Sequence, residues 1–162
     1  MTFEKLQPKH RTPVMKIFNY YVRNTTAAFP LDELPEDFYD MILDLLVTLP
    51  GYGIFDNDTL IGFGFMGVYN PYSTFKKTAT VNYFISSDYV NRGLGKQLLS
   101  LLEEDAKTMG FDNLIAEIST ENTPSLNFHA KNGFRHCGTL VDVGFKFGRK
   151  FGIVYMQKSV AR

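Results

Sequence analysis

The sequence predicts a single α/β domain built on one mixed sheet, and three observations carry that prediction. First, 44% of the 162 residues are hydrophobic and 15% aromatic, enough side chain to fill a core. Second, the apolar pattern alternates along the chain between helical spacing and short strand-like runs. Third, the second half reads strand, helix, strand, helix and two more strands, with no repeat or linker between them. One domain over residues 1–162 is therefore the economical reading.

The elements follow in order. Residues 2–7 read as a short strand. From Thr12, with Pro13 at a first helical position, Val14, Ile17, Phe18, Tyr21 and Val22 recur at helical spacing. A loop from Asn24 to Pro30 precedes a second helix over 35–49, whose Glu36 and Asp37 suit the positive end of the helix dipole. Pro50 and Gly51 stop it. Gly53 to Phe55 and Leu60 to Tyr69 then form a hairpin around an Asp-Asn-Asp-Thr turn. A third central strand spans Thr78 to Ile85. After Gly95 comes a helix with Leu94, Leu98, Leu101, Leu102 and Ala106 along one side, ended by Gly110. A strand over 113–119, a short helix closed by Gly133, and strands near 134–143 and 151–157 complete the chain.

Composition removes several classes of function. Seventeen basic residues balance seventeen acidic ones, so no whole-chain field draws nucleic acid or an anionic membrane. The lone Cys137 excludes an internal disulfide and a thiolate zinc cage, and His10, His129 and His136 are too scattered to suggest a metal site. Glu4, Lys5, Lys9 and His10 interrupt any signal-peptide core. Leu60 to Tyr69 falls far short of the roughly 20 residues a membrane helix needs. The expectation is a cytoplasmic protein with no nucleic-acid or membrane partner and no metal.

The stretch from Ile85 to Lys96 is chemically the most informative. A buried strand runs into a loop carrying Gly93 and Gly95, which opens directly into an amphipathic helix. The first turn of a helix exposes unpaired N–H groups, and its dipole favours an anion there. Glycines let the backbone approach a diphosphate closely, and Arg92 and Lys96 can add charge-assisted contacts. A turn without a ligand accounts for such a segment about as well when it stands alone. Neither the P-loop pattern nor the three-glycine dinucleotide fingerprint is present.

This loop resembles that of the GNAT superfamily of acyl-CoA-dependent N-acetyltransferases. There it reads Gln or Arg, two free places, Gly, one free place, then Gly or Ala. Here it stands as Val90, Asn91, Arg92, Gly93, Leu94 and Gly95, departing only at Val90. A second stretch, Asn122 to Phe134, matches the superfamily's Asn, Ser, His, Gly and Phe positions at Asn122, Ser125, His129, Gly133 and Phe134. The resemblance implies a mixed-sheet domain of the GNAT acyl-CoA N-acyltransferase type with acetyl-CoA as cosubstrate. It places Phe84 and Ile85 against the acetyl group. Asn91, Arg92, Gly93, Leu94, Gly95 and Lys96 fall around the diphosphate, with Asn122 and Ser125 beside the pantetheine arm. Gly144 to Phe151, and Asn24 to Phe29, are similar to the phosphinothricin N-acetyltransferase-like branch, which commonly forms homodimers.

Acetyl transfer to an amine needs a neutral nucleophile, a donor for the developing oxyanion and a proton for the departing thiolate. His129 is the candidate for serving the thiolate or for holding the pantetheine end. The branch carries a glutamate base on the central strand where this sequence has Thr80, and an arginine in the preceding loop where it has Tyr72 or a neighbour. Deprotonation then falls to a water chain held by Thr80, Asn82 or Tyr83, or to Glu117 on the adjacent strand. Tyr20, Tyr21, Phe29, Tyr69, Tyr72 and Phe75 make the acceptor region aromatic, with at least half of them expected in the core or an oligomer interface. The leading expectation is acetylation of a small-molecule primary amine. The alternatives are acetylation of a protein terminus or lysine, and a silent acyl-CoA-binding module.

Overall fold

A seven-stranded sheet builds the scaffold that positions the site. The computed structural model describes residues 1–161. Strand β1 (Thr2–Lys5) leads through a 3-10 turn at Pro8–His10 into α1 (Arg11–Asn24). Helix α2 (Tyr39–Leu46) follows a loop and a second 3-10 turn, and the hairpin β2 (Gly51–Asp56) and β3 (Thr59–Val68) follows α2. Then come β4 (Thr78–Ile85), α3 (Leu94–Thr108), β5 (Asn113–Ser119), α4 (Thr123–Lys131), β6 (Arg135–Lys146) and β7 (Arg149–Ser159). The sheet order is β1-β2-β3-β4-β5-β7-β6, antiparallel throughout except for the parallel pair β4 and β5.

Each face of the sheet buries its own cluster. Ala79 and Val81 of β4 and Leu114, Ala116 and Ile118 of β5 point to the side covered by Leu94, Leu98, Leu99 and Leu102 of α3. The opposite face carries Phe63, with Phe65 and Phe84 packed beside it, under Val14, Met15 and Ile17 of α1 and Tyr39 and Ile42 of α2. Burying each such large side chain stabilises the fold by about 1.5–3 kcal/mol before entropy is counted. Gly64 belongs to the α3 face, where a Cβ would lie 2.7 Å from Leu98. The missing side chain lets the helix settle onto the strand.

Several boundaries differ from the sequence reading. The first helix starts at Arg11, because the 3-10 turn lets His10 occupy the cap in place of Thr12. The second helical stretch is a 3-10 turn over Glu36–Phe38 and only then α-helix, ending at Leu46. Strand β2 begins at Gly51 rather than Gly53, since Gly51 and Tyr52 pair with Phe65 and Gly64. The last two strands extend into one long hairpin, with Lys146 opposite Arg149. Its turn residues Phe147 and Gly148 both take left-handed φ, 56° and 73°, which matches the twist of adjoining antiparallel strands. Gly144, just past the expected end of that strand, lies within β6 beneath the Phe151 ring, 2.5 Å from where its Cβ would stand.

Candidate active site

Strands β4 and β5 begin as a regular parallel pair and then part. Thr78, Ala79 and Thr80 are in register with Asn113, Leu114 and Ile115, and no pairing continues beyond Thr80. On its other edge β4 stays paired with β3 through Ile85. The β5-facing backbone of Val81–Ile85 therefore opens a wedge in the middle of the sheet. A wedge lined by free backbone amides can hold an extended chain that carries its own carbonyls. Phe84 packs its ring among Phe18, Tyr21 and Phe63, at centroid distances of 5.4, 5.4 and 5.8 Å. The Ile85 carbonyl accepts a hydrogen bond from the Tyr21 hydroxyl of α1.

The glycine loop lies just past the open end of the wedge. Asn91 and Gly93 both adopt left-handed φ, 62° and 78°, and Gly93 caps α3. Gln97 makes the first intrahelical bond, to the Gly93 carbonyl at 3.2 Å, leaving the N–H groups of Leu94, Gly95 and Lys96 unpaired within the helix. Open space surrounds the Cα of Gly93, while a Cβ on Gly95 would meet the Phe128 ring at 3.5 Å. Leu94 anchors its side chain in the core and offers only its amide. Arg92 is exposed, donating to the Asp88 carbonyl at 3.1 Å with its guanidinium 4.9 Å from the Tyr89 ring centre. Lys96 is also exposed. The loop can thus offer amides and two cations to an anion.

Helix α4 forms the second wall. Asn122 caps it, its Oδ1 accepting from the Ser125 N–H at 3.3 Å. One turn on, His129 is 2% exposed. Its Nδ1 lies 2.7 Å from the Ser125 carbonyl and 3.2 Å from Ser125 Oγ. A carbonyl can only accept, so Nδ1 carries the proton and Nε2 accepts from the Tyr83 hydroxyl of β4. Burial holds the His129 pKa below its ordinary value, partly offset by the Ser125 bond. Burial likewise pushes the Tyr83 hydroxyl upward. The imidazole is neutral at pH 7, with both nitrogens engaged inside the protein.

The opposite face of the wedge holds polar groups suited to an amine. Thr80, Asn82 and Phe84 alternate onto the α1 side of β4, and Ile115, Glu117 and Ser119 onto that side of β5. Thr80 Oγ1 accepts from Asn82 Nδ2 at 3.2 Å. Gly67 of β3 stands opposite Thr80, and a Cβ there would come 2.6 Å from Thr80 Oγ1. Glu117 is solvent-accessible and sits across from Tyr155 of β7, whose hydroxyl it biases toward the protonated form after burial has done most of that. Sequence reasoning passed over Tyr155, although period-two alternation along the last strand places it beside Glu117. Of the six aromatics expected near the acceptor, Tyr21 alone packs against the core. Tyr20, Phe29, Tyr69, Tyr72 and Phe75 are exposed.

A groove of about 1030 Å³ opens elsewhere, between α1 and the β2–β3 hairpin. It borrows Ser86 to Tyr89 from the loop before α3, but Thr80, Glu117, Asn122 and His129 do not line it. Among the described residues no group of His, Cys, Asp or Glu is arranged to hold a metal, and no helix is long and apolar enough to cross a membrane.

A parted parallel pair beside a glycine-capped helix can hold an extended chain between the strands and an anion at the helix start. The model of the acetyltransferase (GNAT) family matches residues 14–134, and the chain belongs to that family. A phosphinothricin N-acetyltransferase from Alcaligenes faecalis is 34% identical over 90% of this chain and 75% of its own. An L-methionine sulfoximine/L-methionine sulfone acetyltransferase from Pseudomonas aeruginosa is 30% identical over 89% and 86%. The solved structure of a ribosomal-protein-alanine N-acetyltransferase from Brucella melitensis superposes with a TM-score of 0.92 at 26% identity. It covers 98% of this chain and 99% of that one.

Proposed function

We propose that the protein transfers the acetyl group of acetyl-CoA directly to the primary amine of a small, amino-acid-like molecule. The observation that carries this reading is the wedge between β4 and β5, flanked on one side by the free amides of α3 and on the other by the polar face of Thr80, Asn82 and Glu117. The two relatives named for small amino-acid analogues favour that acceptor over a peptide. The diphosphate rests on the amides of Gly93 to Lys96 with Asn91 and Arg92 beside it. The pantetheine arm follows Asn122 and Ser125, and the thioester lies against Phe84 and Ile85.

In the reaction the amine nitrogen attacks the thioester carbon, and the tetrahedral intermediate then expels the CoA thiolate. Holding both partners in one wedge supplies much of the rate. Glu117 takes the proton from the amine, directly or through a water held at Thr80 and Asn82. His129 shapes the pantetheine wall by fixing Tyr83, a role that suits a neutral ring with both nitrogens committed. The thiolate then receives its proton from solvent.

The same reading extends to assembly and place. Strand β6 is a sheet edge with a row of exposed apolar side chains, Val141 at 74% and Phe145 at 64% among them. A second copy of the chain covering this row would bury it as a homodimer. An acetyl-CoA cosubstrate and an exposed free thiol at Cys137 suit the cytoplasm. The functional test is CoA thiol release followed with DTNB over L-methionine sulfoximine, the common amino acids and short peptides. Release with the small amines is expected. Release with peptides alone, or acetyl-CoA binding without any release, contradicts the reading.

A further inference from the structure

Lys146 is a charged side chain almost wholly inside the protein. It is 2% exposed, and among the described residues no carboxylate forms an ion pair with it. Its Nζ donates to two backbone carbonyls of the segment after α1, Thr25 at 2.8 Å and Ala28 at 2.9 Å. The ammonium also lies 5.1 Å from the Phe147 ring centre. Burying an ammonium is costly, and two carbonyls and a ring face return only part of that cost. A methionine-like side chain would fill the volume with less penalty. A charge kept here has something to hold.

What it holds is a strap across the mouth of the wedge. At one end Tyr21 of α1 donates its hydroxyl to the Ile85 carbonyl, the last residue of β4. At the other end Thr26, itself buried, shares a 2.6 Å hydroxyl–hydroxyl bond with Ser119, the last residue of β5. The Thr26 hydroxyl also donates to Glu121 at 3.2 Å, and Arg149 grips that carboxylate with two bonds of 2.8 and 2.7 Å. Thr25 Oγ1 folds back to the Tyr21 carbonyl at 2.8 Å and accepts the Ala27 N–H at 3.1 Å, which keeps the strap taut between its two anchors. One short segment thus ties together the ends of the two strands whose separation makes the site. Lys146 grips that segment on either side of Thr26, from the β6–β7 hairpin.

We propose that Lys146 is a positioning residue that fixes the Tyr21–Ala28 strap, and through it the acceptor side of the wedge. The strap touches the α1 face, where Phe84 packs on Tyr21 and Ser119 meets Thr26. Among the described residues it makes no hydrogen bond to the glycine loop or α3, so the diphosphate's anchorage does not depend on it. Loss of the clamp loosens the acceptor wall and leaves the diphosphate site intact. This inference rests on the acetyltransferase reading above.

The test compares Lys146→Met with Thr26→Val, using acetyl-CoA and L-methionine sulfoximine as probes and hydrogen exchange over residues 25–29 as an activity-independent readout. Both variants are expected to raise the acceptor KM about tenfold, as a displaced positioning contact does, while the acetyl-CoA KM stays within about twofold. Exchange should quicken over 25–29 and not in α3. Thr26→Val keeps the test intact should Lys146→Met fail to fold. Unchanged acceptor KM and unchanged exchange in a folded variant overturn the proposal, as does an equal rise in the acetyl-CoA KM. Wild-type protein that turns over no small amine counts against the acetyltransferase reading alone. The strap is then judged by exchange, where quickening confined to 25–29 supports it and its absence refutes it.

Discussion

Gly93 shows how one residue serves both the fold and the chemistry. Its φ of 78° costs an L side chain roughly 1–2 kcal/mol, and the space around its Cα is where a diphosphate would rest. Gly93→Val should lower acetyl-CoA affinity at least about tenfold in calorimetry, since both the amide geometry and the open space are lost. Undiminished affinity would place the donor elsewhere. Glu117→Gln keeps the shape of its side chain and removes the base. The expected result is a loss of about 10²-fold or more in kcat/KM. An unchanged kcat/KM would remove Glu117 from the mechanism. The glycine loop that opens α3 at Gly93 was legible because glycine ahead of an amphipathic pattern is a local signal, whereas the bond that holds His129 comes from Tyr83, 46 positions away. Lys146 and Ser119 were not legible, because their partners lie 121, 118 and 93 positions away.

Among the elements, β4 and α3 followed from the apolar pattern, while the ends of α2 and of the last hairpin did not. Periodicity marks a helix, yet it cannot tell a 3-10 turn from the first α-turn, as at Glu36–Phe38. The β6–β7 hairpin was misjudged because Phe147 is a poor turn residue by propensity. Gly148 and the pull of strand twist override it. The parting of β4 from β5 beyond Thr80 has no signature of its own in the residues. Strand β6 makes the element-scale prediction. Phe145→Asp places a charge in its exposed apolar row and should shift the protein from dimer to monomer in light scattering. A wild-type protein that is already monomeric at high concentration would contradict the homodimer.

For the molecule as a whole, two buried histidines set the response to acid. His10, with Nδ1 accepting the Gln7 N–H at 3.0 Å, and His129 both have pKa values held below the ordinary value, chiefly by burial. Above about pH 6.5 each is neutral in both folded and unfolded chains and has no effect on the balance. As the pH falls below that value the unfolded chain takes up protons that the folded one refuses, so stability declines. Urea unfolding between pH 7.5 and 5.5 should show this decline, and His129→Gln should make the slope shallower whatever its effect at pH 7.5. An equal slope in the variant would mean that His129 titrates normally when folded.

Acetyl transfer to an amino-acid-like amine in the β4–β5 wedge is the central proposal. The most direct measurement incubates the protein with acetyl-CoA and L-methionine sulfoximine and counts products by mass spectrometry. The predicted result is one N-acetylated amine for each CoA released, with both products suppressed together by Gly93→Val. Binding of acetyl-CoA with no acetylated product from this or any other small amino acid would contradict it.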